Sequence, residues 1–272
     1  MTSNQLKKLT VHAIEVVERA ADFIRSEAGA VDSDSIEEKA LNSLVSYVDR
    51  TAEEILVEGL STLDRGATFL TEEDTVSNQA SDMVWIIDPL DGTTNFLHNL
   101  PFYSVSVALE LERTLVIGIV LEVPRKELFH CYHGGGSYHN DRVIRVNQGR
   151  PLDQSVIATG FPYDDLNCLE NYMDVFQTFV KRTRGVRRFG SAALDLAYVA
   201  AGRLDGYYEY NLNPWDVSAG GLLIQEAGGK TCGFFDDDSW STGMSLIGSS
   251  SYVMDEMREI IASRMPQHAL GR

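Results

Sequence analysis

The chain has 272 residues, which is enough for one large domain or two packed halves. Its 44% hydrophobic and 23% charged residues are typical of a globular protein. Its formal net charge of −17 argues against general nucleic-acid binding, because a phosphate backbone requires a basic surface.

No apolar run approaches the length of a membrane span, which is about 18 residues. The first residues lack the basic and apolar regions of a secretory signal. We therefore expect a cytoplasmic protein without a membrane segment. Cys131, Cys168 and Cys232 have no CxxC spacing, which predicts reduced and mostly buried thiols rather than a disulfide framework or a zinc site.

Two helices are predicted in the first quarter of the chain. Apolar residues recur at helical spacing over about residues 6–28, and a second helix is predicted over residues 50–61 with Asp49 as its N-cap. The polar connection after the first helix carries Asp32 and Asp34 at a metal-ligand spacing. No further ligand pattern supports them, so a mobile acidic loop is the simpler interpretation.

Three carboxylates, Glu72, Glu73 and Asp74, follow a short apolar strand end at residues 69–70. A run of charges is usually a solvated face of the protein. The residues alone do not distinguish such a face from a source of metal ligands.

Residues 84–95 read Val-Trp-Ile-Ile-Asp-Pro-Leu-Asp-Gly-Thr-Thr-Asn. The apolar start predicts a buried strand, the proline makes the following turn rigid, and Gly92 and Thr93 would begin a short helix. Asp88 and Asp91 would then lie beside free N–H groups, an arrangement that suits a divalent cation and a phosphate. Ordinary turn residues are the alternative for Asp-Pro or Asp-Gly taken alone.

An antiparallel meander flanked by helices is predicted next, with strands over residues 102–111, 115–123 and 126–131. The triple glycine at residues 134–136 favours a hairpin connection over a metal site. The histidines on its flanking strands are His130, His133 and His139.

Strands and helices alternate after a polar link near residues 147–151, which predicts an α/β layer. The predicted elements are strands over 155–159, 185–188 and 206–210 and helices over 169–181 and 191–201. Ser191 begins the last of these helices, as an N-cap or as a contact for an anion or substrate. A further helix begins at Pro214 and ends before Gly228, and Asp216 in its first turn would be a capping residue.

Two stretches far apart in the chain resemble the signatures of the inositol monophosphatase family. Residues 84–95 match the apolar run followed by Asp-Pro-Ile/Leu-Asp-Gly-Thr. Residues 215–229 match the Trp-Asp-Val, the small-residue helix and the Glu-Ala-Gly-Gly of the second signature. Glu72 matches the first residue of a glutamate pair that precedes the first signature.

A third block, from Lys39 to Asp49, resembles the family pattern Lys-x-x-x-Asp-Leu-Val-Thr-x-x-Asp. Ser43 stands where an acidic residue is usual, and Ser46 stands where threonine is usual. The second change keeps a hydroxyl group, so the departure mainly affects the loop around Ser43.

The resemblance implies an α+β fold, the layered α-β-α-β-α sandwich of the inositol monophosphatase and fructose-1,6-bisphosphatase type. Residues 1–148 would form an N-terminal α+β half with most of the metal ligands. Residues 149–272 would form a C-terminal α/β half with Asp216 and substrate contacts. The family usually forms homodimers, so a homodimer is expected here.

The resemblance also implies Mg²⁺-dependent hydrolysis of a phosphate monoester, with two or three Mg²⁺ ions in each active site. The metal ligands matched by position are the backbone carbonyl of Leu90 and the side chains of Glu72, Asp88, Asp91 and Asp216. Thr93, supported by Asp49, would orient the attacking water together with Glu72. The catalytic residues are therefore Glu72, Thr93 and Asp49.

A set of residues around the metal ligands matches the family's substrate contacts: Asp91, Gly92, Thr93, Ser191, Ala192, Glu209 and Asp216. The N–H groups of Gly92 and Thr93 would hold the phosphate, and Glu209 would bind sugar or inositol hydroxyls. Lys39 is a loop residue that would steer the phosphate or help to hold a third metal ion.

Inositol 1-phosphate is the expected substrate, and the expected partner is thus a phosphorylated polyol. Fructose-1,6-bisphosphatase, NADP phosphatase and 3′-nucleotide phosphatase are alternatives with the same fold. An alternative of another class is a partner-binding regulatory protein with secondary catalysis, whose acidic surface would suit a basic partner.

Overall fold

A computed structural model describes residues 1–30, 37–40, 43–64, 66–75, 81–162, 166–235 and 238–266. Within these residues, the strands form a seven-stranded sheet, a five-stranded sheet and a two-stranded hairpin. None of the described helices is both long and apolar enough to cross a membrane. The three cysteines are free and buried, as predicted.

The N-terminal helices, α1 (Ser3–Glu27) and α2 (Tyr47–Ser61), pack against each other. The prediction that Asp49 caps α2 is wrong, because Ser46 is the N-cap and its hydroxyl accepts a hydrogen bond from the N–H of Val48 at 3.1 Å. Asp49 lies inside the first turn, where its Oδ2 accepts the N–H and the O–H of Ser46, both at 2.8 Å. This reciprocal pairing is a capping box, in which the N-cap lies three residues before Asp49 and the helix begins at Tyr47.

Two short strands precede α2 where the sequence predicted none. They are β1 (Glu37–Ala40) and β2 (Ser43–Val45), and they pair in antiparallel orientation. Asp32 and Asp34 lie outside the described residues, so the prediction of an acidic loop remains untested.

The seven-stranded sheet follows chain order from β3 to β9. Its first two strands are parallel, and each later strand is antiparallel to its neighbour, so the predicted meander is confirmed. The strands are β3 (Thr68–Thr71), β4 (Met83–Asp91), β5 (Ser104–Leu111), β6 (Thr114–Glu122), β7 (Glu127–Tyr132), β8 (Gly136–His139) and β9 (Arg142–Ile144). A short helix, α3 (Thr93–Leu97), follows β4.

The triple glycine forms the hairpin between β7 and β8, as predicted. The N–H groups of Gly134 and Gly136 donate to the two carboxylate oxygens of Glu226, at 2.8 and 2.9 Å. His130 lies on β7 and His139 on β8, but the prediction for His133 is wrong, because β7 ends at Tyr132 and His133 lies in the turn. The glycines therefore anchor the hairpin to the carboxylate of Glu226.

The five-stranded sheet has the order β11-β10-β12-β14-β13. The strand β10 is parallel to β11 and β12, whereas β14 is antiparallel to both of its neighbours. The strands are β10 (Val156–Thr159), β11 (Gly185–Arg187), β12 (Gly206–Tyr210), β13 (Lys230–Cys232) and β14 (Ser245–Ser249). The helices are α4 (Leu169–Arg182), α5 (Ala192–Ala200), α6 (Pro214–Glu226) and α7 (Met254–Ala262).

The helices form three layers around the two sheets. The pair α1 and α2 covers the outer face of the seven-stranded sheet, and α4 and α7 contact the five-stranded sheet. Between the sheets lie α5 and α6, which contact strands of both. Three separate clusters of buried apolar residues fill these interfaces. The order of layers is therefore α-β-α-β-α, as predicted.

The central helix α6 packs unusually closely against its neighbours. It is buried from Val217 to Ile224, so it has no solvent-facing side. A side chain at Gly118 of β6 would lie 2.8 Å from the backbone oxygen of Ala219, and one at Gly220 would lie 2.5 Å from Leu196 on α5. Glycine therefore allows α6 to lie directly on both the sheet and α5.

Candidate active site

A cavity of about 220 Å³ lies where β4 ends and where α5 and α6 begin. Most of the residues predicted from the sequence line it, namely Glu72, Asp88, Leu90, Asp91, Gly92, Thr93, Ser191, Ala192, Glu209 and Asp216. Asp49 lies behind this wall in contact with Thr93. The side chain of Lys39 is outside the described part of the structure.

A break in the register of β4 brings two of the carboxylates to the cavity. Asp88 pairs with Ser106 of β5, and Asp91 pairs with Ser104, with an irregularity between them. Side chains three positions apart in a regular strand point to opposite faces of the sheet. The irregularity changes the direction in which the side chains point. Asp88 and Asp91 therefore line the same cavity.

Asp91 connects β4 to the start of α5. Its Oδ2 accepts the hydroxyl of Ser191 at 2.6 Å and the N–H of Ala193 at 2.8 Å. The Ser191 hydroxyl also accepts the N–H of Leu194 at 3.4 Å, so Ser191 is both an N-cap and a site contact. Burial raises the pKa of Asp91 to about 6, although these hydrogen bonds favour its charged form.

Gly92 is the turning point between β4 and α3. Its φ of 99° lies in the left-handed region, which glycine adopts without strain. A side chain there would lie 3.1 Å from the carbonyl oxygens of Gly190 and Phe102. The backbone of the motif is therefore packed directly against the loop that precedes α5.

Thr93 lies between Asp49 and the carbonyl of Leu90. Its Oγ1 is 2.8 Å from Oδ1 of Asp49 and 3.0 Å from the oxygen of Leu90. A hydroxyl group has one hydrogen, so it donates to only one of these acceptors at a time. Asp49 is 2% exposed, and burial raises its pKa against the opposing effect of hydrogen bonds from Ser46 and Thr93.

Glu72 reaches the cavity from the end of β3. Its N–H donates to the carbonyl of Ile87 at 3.3 Å, which continues the pairing with β4. The next residues are held by the buried carboxylate of Glu53 on α2, which accepts the N–H groups of Glu73 and Thr75 at 2.8 and 2.9 Å. The acidic run is therefore anchored on α2, and Glu72 faces the cavity.

Asp216 belongs to both the cavity wall and the first turn of α6. Its Oδ2 accepts the N–H of Asn213 at 2.7 Å, so the predicted capping role is confirmed. Burial, followed by the charges of Asp91 and Glu72, raises its pKa well above the ordinary value. The pKa of Asp88 is raised in the same way by burial and by three neighbouring carboxylates.

The cavity is therefore rich in negative charge. Among the described residues that line it, Arg188 is the only lysine or arginine, and none is Cys or His. Carboxylates and a backbone carbonyl are hard oxygen donors that suit Mg²⁺ better than Zn²⁺. In the described stretches, no three His, Cys, Asp or Glu side chains are arranged to hold a metal ion.

Glu209 lies on β12, with 7% of its surface exposed. It accepts a hydrogen bond from the hydroxyl of Tyr207, and a side chain at Gly160 would collide with its carboxylate. Burial raises its pKa to about 7. Its position is thus fixed from two sides.

Sequence reasoning missed several residues that shape the site. The amide nitrogen of Asn95 donates to the carbonyls of Phe102 and Phe189, at 2.7 and 2.8 Å. These bonds connect the first signature, residues 84–95, to the loop before α5. Asp195 is the single charged residue in the apolar helix α5, and it also lines the cavity. A charge within an apolar helix was a signal that would have identified Asp195.

Comparisons with known proteins agree with this architecture. The model of the inositol monophosphatase family matches residues 5–269. A putative Nus factor SuhB of Neisseria meningitidis is 38% identical over 254 residues, which cover 93% of this chain and 97% of that protein. An inositol-1-monophosphatase of Mesorhizobium japonicum is 42% identical, with coverages of 79% and 82%.

Solved structures show the same fold. The extragenic suppressor protein suhB of Bartonella henselae has a TM-score of 0.87 and 36% identity, and the match covers 91% of this chain and 96% of that one. The inositol monophosphatase of Anabaena has a TM-score of 0.85 and 32% identity, with coverages of 97% and 99%. The chain belongs to the inositol monophosphatase family.

Proposed function

We propose that the protein is a Mg²⁺-dependent phosphatase that hydrolyses the phosphate monoester of a polyol, with inositol 1-phosphate as the expected substrate. The observation that supports this proposal is the shared cavity of four carboxylates beside the hydroxyl of Thr93. The carboxylates belong to Glu72, Asp88, Asp91 and Asp216. Family membership favours the same chemistry.

The cavity offers ligands for two Mg²⁺ ions. Glu72, Asp88 and the carbonyl of Leu90 would hold one ion, and Asp88, Asp91 and Asp216 would hold the other. When bound, the ions supply positive charge to the phosphoryl oxygens and increase the acidity of water. Burial, followed by the charges of neighbouring carboxylates, raises the pKa values of Asp88 and Asp216, and bound cations would offset that repulsion between carboxylates.

The chain's own groups would orient the attacking water. If the Thr93 hydroxyl donates its hydrogen to Asp49, its oxygen lone pairs remain to accept a hydrogen from water. Glu72, at the end of the neighbouring parallel strand β3, would accept the second hydrogen. The N–H groups of Gly92 and Thr93 would hold the phosphate, and Glu209 would bind a polyol hydroxyl.

Phosphate release from a substrate panel tests this proposal. The panel contains inositol 1-phosphate, fructose 1,6-bisphosphate, NADP and 3′-phosphoadenosine 5′-phosphate, each with Mg²⁺ and with a chelator. We expect Mg²⁺-dependent release with a preference for inositol 1-phosphate. A preference for another compound would replace the proposed substrate but leave the proposed reaction unchanged. If no compound of the panel released phosphate, the proposal would be contradicted.

A second candidate function is binding to a macromolecular partner, with catalysis in a secondary role. It is favoured by the relatives named Nus factor SuhB and by the net charge of −17, which suits a basic partner. Absence of phosphate release would make it the leading candidate. The division at residue 148, the homodimer and the cytoplasmic location remain predictions.

A further inference from the structure

The C-terminal end of α6 is tied to the hairpin that connects β7 and β8. Glu226, the last residue of α6, accepts the N–H groups of Gly134 and Gly136, one with each carboxylate oxygen, at 2.8 and 2.9 Å. Ser137, the second residue of β8, donates its hydroxyl to the carbonyl of Leu223 in α6 at 2.7 Å. Side chains from both partners therefore connect the last turn of α6 to this hairpin.

The backbone of the hairpin is shaped to hold the carboxylate of Glu226. Gly134 and Gly136 have φ values of 73° and 80°, in the left-handed region, although an added side chain at either would meet no atom within 4 Å. Glycine is therefore needed for the conformation and not for space. Hydrogen bonds from N–H groups to a carboxylate are stronger than neutral ones, and the Glu226 side chain is only 13% exposed.

The opposite end of α6 carries Asp216, which lies in the cavity wall. Asp216 and Glu226 are ten positions apart in one helix, which is about 15 Å along its axis. Near the middle of α6, Gly220 and Gly221 present backbone to their neighbours in place of side chains. Interlocking side chains normally fix one element along another, so this stretch of α6 does little to fix its own axial position.

Hydrogen bonds at the two ends of α6 therefore set its axial position. At the first turn, the hydroxyl of Ser106 on β5 donates to the carbonyl of Trp215 at 3.2 Å, which is long for an O–H···O hydrogen bond. The bonds at the other end, to Glu226 and Leu223, measure 2.7 to 2.9 Å. The shorter contacts with the seven-stranded sheet thus lie at the end of α6 that is remote from the cavity.

We propose that Glu226 is a positioning residue for the metal site: it fixes α6 along its axis and so places Asp216 among the other carboxylates of the cavity. The assignment rests on the proposed phosphatase function, in which Asp216 holds a Mg²⁺ ion. Distances from a metal ion to its ligands vary by only about 0.2 Å, so a small axial shift of Asp216 weakens binding. The glutamate of the second signature thereby has a role, although it does not line the cavity.

Calorimetric titration of Mg²⁺ into the substrate-free protein tests this role without a measurement of activity. Glu226→Leu removes both acceptor oxygens, whereas Glu226→Gln keeps one oxygen and the length of the side chain. We expect Glu226→Leu to raise the Kd for Mg²⁺ about tenfold, and Glu226→Gln to raise it by a smaller factor. If Glu226→Leu does not fold, Glu226→Gln provides the same comparison with the wild type.

Two control variants separate positioning from stability. Gln225→Leu changes the neighbouring residue, whose amide donates to the hydroxyl of Thr231 at 2.7 Å and not to the hairpin. Asp205→Asn weakens a buried carboxylate that accepts the guanidinium of Arg150, away from both the cavity and α6. Thermal unfolding without Mg²⁺ measures the stability of each variant. We expect Asp205→Asn and Glu226→Leu both to lower the Tm, and both controls to keep the wild-type Kd.

The titrations decide between positioning and a purely structural role. A wild-type Kd in the Glu226 variants, or an equal rise of the Kd in either control, would overturn the assignment of Glu226. A wild-type protein that does not bind Mg²⁺ would overturn the proposed metal-dependent function, and the assignment with it. The wild-type titration therefore separates the two failures.

Discussion

The hydroxyl oxygen of Thr93 lies 2.8 Å from Oδ1 of Asp49, while Oδ2 of the same carboxylate is held by Ser46. This chain of contacts runs from the start of α2 to the first turn of α3. It orients Thr93 at the cavity wall through a side chain that does not itself line the cavity.

Thr93→Val tests this relationship, because valine keeps the branched shape and removes the hydroxyl. If Thr93 orients the attacking water, kcat for inositol 1-phosphate should fall about a hundredfold, whereas KM should change little. Steady-state kinetics measure both values. Thr114→Val, at an exposed strand end, is the control, and an equal effect of the two substitutions would refute the assigned role of Thr93.

Gly92→Ala should destabilise the protein by about 2 kcal/mol, because alanine would adopt a left-handed φ and also approach two carbonyl oxygens. Urea unfolding measures the loss. Gly228→Ala is the matched control, since Gly228 has a φ of 85° and no atom within 4 Å of an added side chain. It should show a clearly smaller loss, and equal losses would mean that the contacts with Gly190 and Phe102 are unimportant.

Asn95→Ala should lower the free energy of unfolding by about 2–3 kcal/mol, because two carbonyl groups that its amide now satisfies would lose their donor. The turnover number should fall as well, since the loop before α5 would no longer be tied to the first motif. Asn171→Ala removes one exposed hydrogen bond and is the control. Wild-type stability and turnover in Asn95→Ala would contradict this prediction.

Glu122 should make stability depend on pH. It faces Glu127 across the β6–β7 hairpin, and burial raises its pKa to about 7 from the ordinary 4.5 of a glutamate. The folded state therefore holds this proton more tightly than the unfolded state, so the contribution to stability is complete below pH 4.5 and is lost as the pH rises through 7.

Unfolding free energies at pH 5 and pH 8 test the effect of Glu122. We expect the wild-type protein to lose about 1–3 kcal/mol from this group over that interval, and Glu122→Gln to lose less. Glu127 titrates in a separate window, because Arg203 lowers its pKa to about 2. An identical pH dependence in the variant would rule out Glu122 as the source.

Periodicity and signature motifs predicted much of the fold. The spacing of apolar residues located α1, and Pro214 together with the terminal glycines located α6. The hairpin of β1 and β2 was not predicted, because its strands are short. Other features depend on contacts between residues distant in sequence, as with the buried Asn95.

The site was predicted as a set of residues but not as a geometry. The three-residue spacing of Asp88 and Asp91 would place them on opposite faces of a regular strand, and only the irregular register of β4 explains their shared cavity. The spacing of residues assigned Asp49 to a helix cap, and only the family resemblance implied its contact with Thr93, which it makes from within the first turn of α2. Such roles depend on tertiary neighbours that the sequence alone does not reveal.

Calorimetric titration of Mg²⁺, paired with phosphate release from inositol 1-phosphate, tests the central claim most directly. The proteins are the wild type, Asp88→Asn and the control Asp141→Asn, which changes an exposed carboxylate at the β8–β9 turn. We predict that the wild type and the control bind Mg²⁺ and lose activity with chelator, and that Asp88→Asn loses both binding and turnover. Wild-type Mg²⁺ affinity and turnover in Asp88→Asn would contradict the account.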